Sequence, residues 1–180
     1  MKILLITHRV PYPPNKGDRI VSFNILKYLS KKHEISLVYP SFSRRELKFV
    51  NDLKKYCVSV DSVLLSPWIS KIRCLFSFFN SNPFSLNYFY SRKMGKIIKQ
   101  KIKEADLIFV YSSSMAQYVI DVKKPKVMDF VDVDSDKWLQ YSKIKIFPLS
   151  LLYRLEYKRL RNFEIKITKD GNATLKELLK

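Results

Sequence analysis

The chain opens on KILLITH, residues 2–8, a near-continuous apolar run of the kind found in a strand buried on both faces. Polar and apolar positions then change period. Ile20, Phe23, Leu26 and Leu29 fall on one face of a helix over 20–31. A second strand is predicted over 34–39, ending at Pro40, and a helix over 44–56 with Leu47, Val50 and Leu53 at three-residue steps. Residues 60–65 close a third strand before Pro67. Strand, helix, strand, helix, strand with short connections predicts a parallel sheet whose crossovers are helices.

The middle of the chain is less regular. Residues 68–90 are rich in aromatics and broken by Asn80, Asn82 and Pro83. Two readings stay open: a helix and turn packed on the sheet, or an exposed apolar flap for a lipid surface. A basic helix follows over 92–103, a fourth strand over 106–111, a short helix over 115–120 and a fifth strand over 126–131. Residues 148–167 carry Leu149, Leu152, Leu160, Phe163 and Ile167 on a helical stripe interleaved with Arg154, Lys158, Arg159 and Arg161. Those cations are either a solvated face or a surface for anionic lipid. Residues 169–172 read as a turn.

Composition narrows the function classes. A length of 180 residues suits one well-buried domain. The apolar runs are too short to cross a bilayer and no secretory signal is evident, so the expectation is a cytoplasmic protein, peripheral on the inner face of the membrane if it meets lipid at all. Cys57 and Cys74, the only cysteines, lack metal-ligand spacing and read as buried free thiols. The formal charge of +18 attracts anions in general. Nucleic acid is not expected, because the basic residues are dispersed and none of the common recognition motifs occurs.

Candidate chemistry gathers at predicted strand ends, where ligands bind in open α/β sheets. The first turn holds Lys16, Gly17, Asp18 and Arg19 just before a helix; Gly17 is one of only three glycines. A bare backbone at a helix start suits an anion, and a tight turn with surface charges explains the same residues. His8 ends the first strand. YSSSM, residues 111–115, puts Ser113 and Ser114 after the fourth, without the GxSxG elbow that hydrolase chemistry would need. DFVDVDSDKW, residues 129–138, puts Asp132 after the fifth. Its Asp132-Val133-Asp134 triplet is not read as a metal site, since Asp134 or Ser135 serves equally to cap a helix starting at Asp136. Neither GxxxxGK[ST] nor GxGxxG is present.

LLITHRVPYPPNKGDRIVSFNILKYLSKKHEISLV, then SSSMAQYV, then VMDFVDVDSDKW and LYRLEYKRL resemble, in order and spacing, the N-terminal half of bacterial retaining sugar transferases of the GT-B class associated with exosortase and exopolysaccharide loci. The resemblance implies a single Rossmann-like α/β domain over 1–167, one of two that face a cleft in such enzymes. It also implies a nucleotide sugar as donor substrate rather than a cofactor, an N-terminal domain that meets the acceptor, and a C-terminal domain that holds the donor. The loop of Lys16, Gly17, Asp18 and Arg19 would approach the donor diphosphate, with His8, Ser113, Ser114 and Asp132 lining the cleft. Many relatives carry two adjacent glycines in that loop where this chain has one. After Phe163 the sequence leaves the family's course, so 168–180 reads as a divergent tail and the donor-binding domain as absent. The expected partners are a separate donor-binding domain and an anionic membrane surface. A non-catalytic basic module that docks on a membrane or partner is the alternative.

Overall fold

The computed structural model describes residues 1–130 and 133–170. Five strands make one all-parallel sheet: β1 (Lys2–Thr7), β2 (Glu34–Ser41), β3 (Ser59–Leu64), β4 (Leu107–Tyr111) and β5 (Lys126–Asp129), in the order β3-β2-β1-β4-β5. This is the doubly wound order of a Rossmann-like domain. As its two-sided hydrophobicity predicts, β1 is the middle strand. Its alternate residues feed two cores: Leu4 and Ile6 pack with Val110, Met94, Ile98 and Ile167 on one face, and Ile3 and Leu5 with Leu26, Leu53 and Phe109 on the other. All four β1 side chains are buried, each contributing about 2 kcal/mol of apolar burial.

Helices cover both faces: α1 (Gly17–Leu29), α2 (Val50–Leu53), α3 (Pro67–Leu75), α4 (Phe84–Phe89), α5 (Arg92–Glu104), α6 (Asp134–Ile144) and α7 (Leu149–Asp170). Several boundaries differ from the sequence pattern. Pro40 lies inside β2 instead of ending it. Pairing with β1 stops at Val38, so at Pro40 the strand has a partner only on its β3 side, where a missing N–H is tolerated. The helix expected over 44–56 is a 3₁₀ segment, Arg44–Phe49, followed by the single turn of α2. Glu46 is drawn back at its start, accepting hydrogen bonds from Ser41 Oγ and the Phe42 amide. The short helix expected at 115–120 is a 3₁₀ segment, Ser113–Tyr118, and α7 continues through Lys169, where a turn was expected.

Helix α7 is fixed by two buried carboxylates eight residues apart on one face. Glu156 accepts from the Phe84 and Ser85 amides and Ser85 Oγ at 2.6–2.9 Å, satisfying the first turn of α4. Glu164 does the same for α6, accepting from the Ser135 amide at 3.2 Å and Ser135 Oγ at 2.6 Å. So α6 starts at Asp134 rather than Asp136, and the side chain that satisfies its first turn is Glu164 of α7, not Asp134 or Ser135. Of the apolar stripe, Leu160 and Ile167 are fully buried, whereas Leu149 is exposed. Cys57 is buried and Cys74 half-buried; burial pushes the Cys57 thiol up to about 12 and raises Cys74 as well, so both stay protonated.

Candidate functional site

Chain order reverses between β1 and β4, the position in such a sheet where the loops leaving the two strands diverge and leave a crevice. A cleft of about 620 Å³ opens there. His8 and Arg9 enter it from the end of β1, Gly17 and Asp18 from the first turn of α1, and Ser112 and Ser114 from the end of β4. Phe89 and Ser85 of α4 and the inner face of α6 complete its walls.

His8 is clamped between aromatic rings. It stacks on Tyr111 at 5.8 Å and meets Phe89 edge to face at 6.1 Å. Its Nε2 lies 3.6 Å from Asp18 Oδ2, and its Nδ1 has no hydrogen-bond partner among the described residues. Burial pulls the imidazole down to about 4, Arg9 and Lys137 act in the same direction, and Asp18 and Asp134 oppose them. At neutral pH His8 is therefore an uncharged ring able to accept or donate a hydrogen bond.

The turn at 16–19 divides. Gly17 starts α1 with no positive φ, and a Cβ there would meet nothing within 4 Å. Its bareness leaves the cleft wall open rather than relieving backbone strain. The Asp18 carboxylate stands on that wall, near His8 and 3.7 Å from Arg9 Nη1, while the Asp18 carbonyl accepts from Tyr111 Oη across the switch point. Lys16 is exposed and Arg19 turns away to Glu46 at 2.7 Å; neither lines the cleft. The loop thus offers an anion the helix amides but not its arginine, and sets a carboxylate beside them.

On the opposite side Ser113 Oγ donates to Asp134 Oδ2 at 3.0 Å, and Lys137 Nζ reaches Asp134 Oδ1 at 3.3 Å. Ser113 therefore supports Asp134, and its neighbours Ser112 and Ser114 line the cleft. Asp132 lies outside the described residues. Among those described, no group of three or more His, Cys, Asp or Glu is arranged to hold a metal ion.

Three features were not singled out from sequence. Ser112 has φ 86°, a strained geometry for a residue with a side chain, at about 1–3 kcal/mol. Its amide donates to the Asp129 carbonyl at 2.8 Å and its carbonyl accepts from the Met115 amide at 3.1 Å, which hold the backbone in place. Trp138 and Tyr141 also line the cleft, one and two turns beyond Asp134. Their spacing at 134, 138 and 141 marks one face of a helix, a signal that was present in the sequence. The cleft therefore combines a neutral imidazole, two carboxylates that each face a cation, Arg9 and Lys137, several hydroxyls and an aromatic wall, a set able to exchange hydrogen bonds with a polar ligand and to stack on an apolar face.

Comparison of the chain with protein-family models, curated proteins and solved structures finds no match in any of the three.

Proposed function

We propose that this domain is the acceptor-side unit of a nucleotide-sugar-dependent glycosyltransferase of polysaccharide synthesis, and that the cleft at the β1–β4 switch point receives the acceptor sugar. The observation that carries the reading is the composition of that cleft: Asp18 and Asp134 as acceptors for hydroxyls, a neutral His8, and Trp138 as a stacking platform. Arg19 is held by Glu46, and the two cations that line the cleft, Arg9 and Lys137, face Asp18 and Asp134, so the same walls suit a polyhydroxylated ligand better than a diphosphate. The donor diphosphate would meet only the edge of this cleft, at the Gly17 amides. Stabilising a departing diphosphate takes preorganised groups from an opposing wall, so the 180-residue chain alone is expected to transfer no sugar.

The test is titration of isotopically labelled protein with a panel of mono- and disaccharides, read by NMR at the Trp138 indole and the His8 ring. Shifts confined to the cleft, weakened about tenfold by Trp138→Ala, are the expected result. No response to any saccharide, or a response mapping away from the cleft, would refute the reading. A second reading, a non-catalytic docking module, draws on the exposed face of α3 and predicts an empty result in the same titration.

A further inference from the structure

Helix α3 is amphipathic in the wrong direction for a helix packed on a core. Its inward positions are polar: Ser70 and Ser77, just beyond the helix, are both fully buried. Its outward positions are apolar: Trp68 is 76% exposed and Phe79, at the end of the following turn, 90%, with Ile69, Ile72, Leu75 and Phe76 each half or more exposed. The orientation is fixed from the inner side. Asn87 Nδ2 donates to Ser77 Oγ at 2.6 Å, Cys74 Sγ contacts the Phe84 carbonyl at 3.5 Å, and Arg73 donates to the Tyr90 carbonyl. Turning the helix to bury its apolar face would break all three.

We propose that this outward face of α3 and its turn is a docking surface for an anionic lipid bilayer, an interaction independent of what the cleft binds. Charge selects the occupant. Helix α3 and its turn, residues 67–79, carry Lys71 and Arg73 and no Asp or Glu. Lys71 holds its ammonium 5.7 Å from the Trp68 ring centroid, so a cation accompanies the aromatic side chain most suited to a headgroup boundary. The turn between α6 and α7 repeats the chemistry: Ile144, Ile146 and Phe147 are exposed, Lys143, Lys145 and Arg154 flank them, and no acidic residue lies between Asp136 and Glu156. Exposed aromatic and aliphatic side chains inside a purely cationic sequence match the two layers of an anionic membrane, apolar beneath and negative above. A second copy of the chain would bring like charges together at this face.

The experiment uses the full chain with vesicles of phosphatidylcholine alone or mixed with phosphatidylglycerol. Expected are co-sedimentation with the mixed vesicles only, release by salt, and a blue shift of tryptophan emission. Brominated lipid should quench Trp68, read in a Trp138→Phe background because the chain has two tryptophans. The doublet Trp68→Ser/Phe79→Ser should lower partitioning by about tenfold or more, since it withdraws two apolar side chains from the bilayer boundary. No sedimentation, equal binding to phosphatidylcholine, unquenched Trp68, or a doublet that binds as the unsubstituted protein would each overturn the proposal. So would a lipid-free dimer that the doublet dissolves, which would assign the face to a second copy. Quenching needs no surface substitution, so the proposal is tested even if the doublet misfolds.

Discussion

Acid should loosen this domain through His8. The ring titrates near 6.5 in an unfolded chain and near 4 in its clamp beneath Phe89 and Tyr111. As pH falls, the unfolded chain takes up that proton first. Between those two values it binds more protons than the folded state, so stability drops as pH drops; above 6.5 both states hold neutral His8 and nothing is lost. The full displacement is worth about 3 kcal/mol, of which about 2 kcal/mol is lost by about pH 5. That is a large share of the 5–15 kcal/mol, roughly, that holds a typical domain together. Glu164 works the other way, because burial keeps it protonated above the ordinary carboxyl range and acid therefore favours the folded state there. The assay is urea unfolding at several pH values between about 7 and about 5 for the natural chain and for His8→Gln. The variant loses ring contacts at every pH, so the quantity compared is the slope. It should lack about 2 kcal/mol of the pH dependence. Equal slopes, or an NMR titration of His8 centred near 6.5, would refute the reasoning.

Glu156→Ala should cost about 2–4 kcal/mol, because it strips the first turn of α4 of three part-buried hydrogen bonds, and hydrogen exchange should rise selectively at Phe84 and Ser85. Gly17→Ala should leave thermal stability unchanged or raised by about 0.5 kcal/mol, since the added methyl meets open space and the backbone is not left-handed. Gly17→Val should also remain folded, and its effect should appear only in activity reconstituted with a donor domain. Arg19→Met should destabilise by about 1–3 kcal/mol through the stranded Glu46 carboxylate, measured by urea unfolding, while leaving saccharide shifts at Trp138 intact.

What the sequence revealed of this molecule is what depends on neighbours in sequence. The two-sided hydrophobicity of β1 placed it at the sheet centre, and strand ends pointed to His8, Gly17 and Ser114 in one cleft. The start of α6 was missed by two residues because its capping carboxylate, Glu164, lies 29 residues downstream. Pro40 misled for a related reason: whether a proline ends a strand depends on how far the neighbouring strand extends. Arg19 looked like a ligand for phosphate until Glu46, on another element, claimed it. The strain at Ser112 has no local signature at all, since serine is not a residue chosen for positive φ.

Two walls of the cleft are tied to one helix. Ser85 and Phe89 belong to α4, which Glu156 holds; Asp134, Trp138 and Tyr141 belong to α6, which Glu164 holds; and both carboxylates ride on α7. At 22 residues that helix is about 33 Å long. Leu160 and Ile167 on the same helix are fully buried, and Ile167 packs with Leu4 and Ile6 of β1, so the element that carries both walls is itself set into the core. Loss of one carboxylate would therefore loosen one wall only, whereas loss of the helix's own packing would release both sides of the site at once.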